Sequence, residues 1–152
     1  MKKNQSGFTL IELLVVIAII GLLSTLSILA LNTARARARD TKRVADVKQM
    51  QTALEMYYND TGKYPIDASM TVGSSIYTSN GVYMKAVPKP PTPVDGVTCG
   101  TTVTGYTTTA YTYKVYDING GGGTYSIKYC LGADVNTLTG NTILTASEAG
   151  MK

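Results

Sequence analysis

The sequence predicts an α+β protein in which the second half of one long N-terminal helix packs on a small antiparallel β-sheet. Three observations predict this class. An apolar run extends over residues 8–31, and residues 32–59 continue it without proline or glycine, in residue types that favour helix. Residues 106–118 and 124–135 then alternate apolar and polar side chains, as strands with one buried face do.

The composition limits the classes of protein to which the chain can belong. With 152 residues it is long enough for one ordinary domain, and it has no histidine, so sites that need an imidazole are excluded. No catalytic set of residues appears, and we predict neither an enzyme nor a cofactor. The net charge of +4 is concentrated in residues 35–43, with five cations and one acid. Residues 44–152 are nearly neutral, unlike an evenly basic nucleic-acid-binding domain.

The first 31 residues predict a membrane anchor. Residues 1–7 are polar and basic through Lys2 and Lys3, and the apolar run that follows carries a single charge, Glu12. Residues 13–31 form a helix that nearly spans a hydrocarbon core, at about 1.5 Å per residue. A removable signal peptide fits poorly, because the run is too long and no Ala-x-Ala-like cleavage site follows it.

Glu12 is not explained by anchoring alone. A carboxylate inside a membrane helix costs about 2.5–3.5 kcal/mol on insertion scales. Cleavage between Gly7 and Phe8 would create an α-amino cation about one helical turn away from it. Pairing of the two charges, within a chain or between neighbours, would set the axial register of subunits in an apolar filament core.

A specific pattern surrounds this carboxylate. Lys2 and Lys3 precede the segment Gly7-Phe8-Thr9-Leu10-Ile11-Glu12-Leu13-Leu14-Val15-Val16. The pattern resembles the N-terminal cleavage and methylation signature of type IV prepilins and pseudopilins. The resemblance implies a type IV pilin fold, cleavage after Gly7 by prepilin peptidase, N-methylation of Phe8 and a role for Glu12 as the register carboxylate.

The same resemblance implies partners and a location. The implied partners are further copies of the chain in a helical homopolymer, the peptidase, an inner-membrane platform protein, an assembly ATPase, minor pilins, and membrane lipid before assembly. The implied location is a single pass through the inner membrane with the head outside the cytoplasm, then an extracellular pilus or a periplasmic pseudopilus. Two features depart from the pattern. The proline that many members carry near Asn32 is missing, and the cations after the span would favour the opposite orientation by the positive-inside rule. We give the motif precedence, because the peptidase acts from the cytoplasm.

Five cations after the apolar run form what we call the basic collar. Its members are Arg35, Arg37, Arg39, Lys42 and Arg43. Three interpretations stay open. The collar is a solvated charged segment, or it contacts lipid phosphates before assembly or acids of neighbouring subunits afterwards. The third is contact with DNA, which no other feature of the sequence supports.

The helix after the collar is predicted to be amphipathic. Its apolar stripe comprises Val44, Val47, Leu54 and Tyr58, flanked by Met50 and Tyr57. Gly62 is predicted to cap the helix, which Pro65 prevents from resuming. Residues 43–65 also resemble the equivalent region of the major pseudopilins of type II secretion, in features that pilins share.

The C-terminal half is predicted to be an extended proline-rich segment, residues 83–99, followed by a β-hairpin with its loop at residues 119–123. Cys99 and Cys130 are predicted to form a disulfide, with two buried thiols as the alternative. A disulfide would close a loop of about 30 residues and stabilise by about 3–4 kcal/mol in the chain-entropy model.

A calcium site at Asp117 and Asn119 is a weak candidate. The two residues alternate before glycines, as oxygen ligands in calcium loops do. We favour a plain hairpin turn and predict no metal site, because no full loop motif and no closing Glu follow.

The predicted organisation is a leader at residues 1–7, an apolar helix at 8–31, an amphipathic helix at 32–62 and a β-rich head at 63–152. The predicted function is that of a structural subunit of a type IV pilus, serving adhesion, motility or DNA uptake. The alternative is the major pseudopilin of a type II secretion system, driving protein export.

Overall fold

Over the residues that the structure describes, one long helix is followed by six short strands, each antiparallel to its neighbours. The computed structural model describes residues 7–94, 110–116 and 123–151. Its elements are α1 (Leu10–Thr61), a 3-10 helix (Asp67–Ser69), β1 (Ile76–Thr78), β2 (Gly81–Met84), β3 (Thr112–Tyr116), β4 (Thr124–Leu131), β5 (Thr142–Ser147) and β6 (Gly150–Met151). The predicted α+β class is confirmed. Helix α1 begins two residues after the predicted start at residue 8 and ends within one residue of the predicted bound at residue 62.

The chain divides into two compact units, residues 1–35 and 36–152. In the first unit the large apolar side chains of the described residues are exposed, from Phe8 at 86%, just before α1, to Leu31 at 49%. Among the described residues one helix, α1, is long and apolar enough to cross a membrane. The hydroxyls of Ser24 and Ser27 donate to the carbonyls of Ile20 and Leu23 at 2.7 and 2.8 Å, so these polar groups need no outside partner in lipid.

In the second unit, α1 contributes a buried stripe to the core. Its fully or nearly buried apolar residues are Val44, Val47, Met50, Ala53 and Leu54. The predicted stripe is therefore confirmed except at its end, because the side chain of Tyr58 is 39% exposed. Its ring instead stacks on that of Tyr64, with the centroids 4.7 Å apart.

The end of α1 follows the predicted capping geometry. The N–H of Gly62 donates to the carbonyl of Tyr58 at 2.7 Å, and Gly62 has a φ of 71°. This left-handed conformation suits glycine, which has no Cβ to clash with the preceding carbonyl.

The main sheet has the strand order β3-β4-β5-β6. The predicted core-facing residues of β3 and β4 are confirmed: Tyr113 pairs with Ile127 and both are buried. The tyrosines of this face are buried in the same core as the helix stripe: Tyr111, Tyr113, Tyr125 and Tyr129. In β4 the opposite face is buried as well, at Ser126 and Cys130, so burial does not alternate along this strand. Strand β4 ends at Leu131, four residues before the predicted bound. Residues 106–109 and 117–118 of the first predicted strand lie outside the described residues.

Two features of the head differ from the predictions. Strand β5 was not predicted, yet it pairs with β4 along most of its length. The first two residues of the segment predicted to be extended, Tyr83 and Met84, belong to β2. This strand forms a two-stranded hairpin with β1, which was not predicted. Residues 85–94 contain no strand, as predicted for a proline-rich segment.

Candidate processing and assembly site

The residues of the N-terminal motif lie at the very start of α1. Gly7, Phe8 and Thr9 precede the helix, and the Phe8 side chain is 86% exposed. A Cβ placed on Gly7 would meet no atom within 4 Å. The Gly7–Phe8 peptide bond therefore lies in an exposed segment, and the described residues give no steric reason for glycine at this position.

Thr9 and Glu12 form a capping box. The backbone N–H and the hydroxyl of Thr9 donate to Glu12 Oε2 at 2.8 and 2.6 Å, and the Glu12 N–H lies 3.3 Å from Thr9 Oγ1. Reciprocal bonds of this kind satisfy N–H groups that the first turn of a helix leaves without partners. We had not predicted this role, although the Thr-x-x-Glu spacing at the start of an apolar run is its sequence signature. Glu12 thus has hydrogen-bond partners within a single chain.

The basic collar is not uniform. Arg35, Arg37 and Lys42 are exposed, and Arg39 is half-buried. Arg43 is only 3% exposed, so its assignment to a solvated or surface-binding collar is wrong. The reason is its helical position: it lies four residues before buried Val47, on the same face of α1.

Arg43 belongs to a buried junction with Asp40, whose side chain is fully buried. Its Nη1 lies 2.5 Å from Asp40 Oδ1, and its Nη2 donates to the carbonyls of Pro91 and Pro93 at 2.9 and 3.0 Å. We call this group of contacts the Asp40–Arg43 junction.

The two oxygens of Asp40 also accept the backbone N–H groups that follow β4. Gly132 donates to Oδ1 and Ala133 to Oδ2, both at 3.0 Å. Because these two N–H groups donate to Asp40, they are not used in hydrogen bonds to a neighbouring strand. This accounts for the end of β4 at Leu131. No motif or spacing in the sequence singles out Asp40 for this role.

A second carboxylate of α1, Asp46, faces the sheet. It accepts the Tyr111 hydroxyl at 2.9 Å and is 7% exposed. Burial raises the pKa of Asp46, and this outweighs the opposing effects of the Tyr111 hydrogen bond and of nearby Lys42.

The remaining predicted site residues lie partly outside the described residues. Lys2, Lys3, Cys99, Asp117 and Asn119 are in this group. Cys130 is described: it is buried and disulfide-bonded, and Val94 and Ile143 pack around it. Its pairing with Cys99 stays a prediction. Within residues 7–94, 110–116 and 123–151, no three His, Cys, Asp or Glu side chains come together as a metal site.

Both the N-terminal motif and the longer chain are similar to known proteins. Residues 2–28 match a family model described as the prokaryotic N-terminal methylation motif. The type II secretion system core protein G of Vibrio cholerae is 35% identical over 101 residues, which cover 60% of this chain and 69% of that protein. No solved structure matches the chain.

Two further relatives match shorter segments. The core protein G of Aeromonas hydrophila is 42% identical over 64 residues, covering 42% of this chain and 45% of the relative. The type IV major pilin protein PilE of Neisseria gonorrhoeae is 34% identical over 87 residues, covering 57% and 52%. The matched segments thus span only about half the length of these two relatives.

Proposed function

Because the chain belongs to the family of type IV pilins and type II secretion pseudopilins, we propose that it is the structural subunit of a type IV pilus-like filament. In this proposal the filament serves adhesion, motility or DNA uptake, and its subunits assemble through their N-terminal helices. The observation that carries the proposal is the exposed apolar surface of α1 over residues 8–31, which begins at the methylation motif. In water such a surface is unfavourable, whereas lipid or neighbouring helices of the same kind would cover it.

The proposed maturation begins with removal of the leader, residues 1–7. Prepilin peptidase cuts after Gly7, and the new N-terminus at Phe8 is methylated. The exposure of the Gly7–Phe8 segment supports access by a peptidase. The apolar helix, residues 8–31, then holds the subunit in the inner membrane, with residues 32–62 and the head outside the cytoplasm.

The proposed assembly step uses Glu12 as the register carboxylate. Its charge pairs with the α-amino group of Phe8 on a neighbouring subunit. Further partners in this proposal are a platform protein, an assembly ATPase and minor pilins.

A second candidate function is that of the major pseudopilin of a type II secretion system. It is favoured by the match to the Vibrio cholerae core protein G, which the chain covers over 69% of its length. Deletion of the gene distinguishes the two functions. Loss of surface fibres with normal secretion supports the pilus, and a secretion defect in cells without surface fibres supports the pseudopilus.

Processing is tested by Gly7→Val in cells that contain the peptidase. We expect the full-length precursor to accumulate, because a bulky residue replaces glycine before the scissile bond, and intact mass shows it directly. Gly21→Val is the matched control, since Gly21 also has open space around its Cβ position and lies far from the bond. Normal maturation of Gly7→Val would show that the cleavage assignment is wrong.

The register role is tested by Glu12→Ala and Glu12→Gln together. Both are expected to be processed and to give few filaments, because neither has the charge. The glutamine oxygen can still accept from Thr9, so Glu12→Gln separates capping from pairing. If Glu12→Gln assembles as the wild type does, the capping box alone is sufficient and the register role is refuted.

A further inference from the structure

We propose that Arg35 and Arg37 bind the phosphate groups of anionic phospholipids in the membrane that α1 spans before assembly. This inference rests on the proposed function, because it requires the apolar helix to lie in a bilayer. It separates two members of the basic collar from the other three and gives them a lipid partner.

None of the described residues neutralises the charge of Arg35 or Arg37. Both side chains are exposed, and neither forms an ion pair with any of the described residues. No acid occurs between Glu12 and Asp40. Asp40 is fully buried and is already paired with Arg43.

The other members of the collar are placed differently. Arg43 is buried in the Asp40–Arg43 junction, and Arg39 is half-buried with an interaction of its own. Lys42 is exposed but lies close enough to Asp46 to lower the pKa of that carboxyl. This leaves two cations for an external anion.

The distance from the apolar run places these two cations at the headgroups. Arg35 and Arg37 follow Leu31 by four and six residues, about 6 and 9 Å along a helix. The headgroup layer on each side of a bilayer is about 5–7 Å thick. The long arginine side chain can extend back towards it, so both guanidinium groups reach lipid phosphates.

The chemistry of the two side chains fits phosphate. A guanidinium group donates two parallel hydrogen bonds to a phosphate, with better geometry than an ammonium. Two residues apart on a helix, the side chains point about 200° away from each other. They therefore contact different lipids, and anionic headgroups, which have no cation of their own, are preferred over zwitterionic ones.

The experiment measures the preference of the full-length chain for anionic lipid. The protein is reconstituted in mixed vesicles, and electron paramagnetic resonance compares how spin-labelled phosphatidylglycerol and spin-labelled phosphatidylcholine associate with it. We expect a preference for phosphatidylglycerol of up to about fivefold per cation, since a basic residue near an anionic surface contributes about that factor. At 1 M salt the preference is expected to fall, because the Debye length shortens to about 3 Å.

Matched variants locate the contact. Arg37→Gln is expected to lower the preference, whereas Lys48→Gln is not. Lys48 is also exposed and its replacement changes the net charge equally, but it lies about 26 Å beyond Leu31 along a helix. An equal decrease in both variants, or no preference in the wild type at low salt, overturns the proposal.

Two further outcomes overturn it as well. If only a Lys2→Gln, Lys3→Gln double variant abolishes the preference, the contact belongs to the leader. If Arg37→Gln keeps the preference but lowers filament yield, the partner is a neighbouring subunit. Retention of the protein in vesicles after an alkaline wash is measured in parallel: a retained chain without lipid preference refutes the lipid contact alone, and an extracted chain refutes the anchoring.

Discussion

Removal of the Asp40 carboxylate is expected to destabilise the head more than any exposed substitution does. Asp40→Ala deletes the acceptor of three hydrogen bonds, from Arg43 at 2.5 Å and from the N–H groups of Gly132 and Ala133 at 3.0 Å each. Removing one partner of a buried ion pair costs about 3–5 kcal/mol. Each backbone N–H left without an acceptor costs about 1–3 kcal/mol, although some water will reach these half-buried groups.

We therefore expect Asp40→Ala to lower the free energy of unfolding by about 3–5 kcal/mol. This is a large part of the about 5–15 kcal/mol that a domain of ordinary stability has. Arg43→Met is expected to cost less, because Asp40 keeps its two backbone donors. The double variant should lose less unfolding free energy than the two single variants lose together. Residues in one network are coupled by about 0.5–3 kcal/mol.

The assay is denaturant unfolding of the full chain in detergent, followed by the near-ultraviolet circular dichroism of its tyrosines. Amide hydrogen exchange at Gly132 and Ala133 reports the junction directly. Lys48→Ala is the control, since its exposed side chain predicts a change within about 0.5 kcal/mol. A cost below about 1 kcal/mol for Asp40→Ala, with unchanged exchange at the two amides, would refute the reasoning.

Three further predictions concern the head. Gly140→Ala should destabilise it by about 3 kcal/mol or more, because the new Cβ would lie 2.1 Å from the carbonyl carbon of Ala133. Tyr129→Phe should be neutral or stabilise by about 1 kcal/mol, because the buried hydroxyl has no hydrogen-bond partner among the described residues. Burial also raises the pKa of Tyr129 to about 12. Asp67→Asn should lower stability at neutral pH by up to about 1 kcal/mol. Burial raises the pKa of Asp67, but the hydrogen bonds from Lys114 and from the Val115 N–H lower it by more, so the folded protein favours the charged carboxylate.

Each of these predictions has its own check. Gly123→Ala is the control for Gly140→Ala, since a Cβ at Gly123 meets no atom within 4 Å, and equal unfolding midpoints would contradict the predicted clash. For Tyr129→Phe, a loss above about 1 kcal/mol in unfolding free energy would show that the hydroxyl has a partner. Because the folded pKa of Asp67 is lowered, its contribution is complete above about pH 4 and is lost as the pH falls through the folded value. Wild type and Asp67→Asn should therefore converge in acid, and a constant difference down to pH 2 would contradict the assignment.

The elements that the sequence predicted are those with one dominant period. The helix stripe repeats about every 3.6 residues and β3 and β4 alternate every two, so each pattern showed both the element and its buried face. Strand β5 lacks this signal because apolar residues occur on both of its faces. Leu144 and Ala146 lie on one face, in the main core. Ile143 lies on the other face and packs against Cys130. Adjacent apolar residues of this kind do not distinguish a strand from a buried loop.

The candidate site could be predicted in its residue types but not in all its contacts. Gly7, Phe8 and Glu12 could be predicted as site residues because a short motif carries them. The inward position of Arg43 was also readable, since it lies seven residues before buried Met50 on the same helical face. The contacts of the Asp40–Arg43 junction could not be predicted. The carbonyls of residues 91 and 93, which accept from Arg43, and the amides of residues 132 and 133, which donate to Asp40, come from distant parts of the chain and carry no side-chain signal.

The different surroundings of the two carboxylates explain why only one of them is proposed to act between subunits. Asp40 has both backbone donors and a cation, Arg43, so its charge is neutralised inside the head. Glu12 has the two Thr9 donors, but no ion pair with any of the described residues. Hydrogen bonds reduce the cost of holding a carboxylate in an apolar environment, yet they do not supply the opposite charge that makes burial favourable. A single chain therefore leaves Glu12 ready to gain from a cation that a neighbour provides, whereas Asp40 has nothing further to gain.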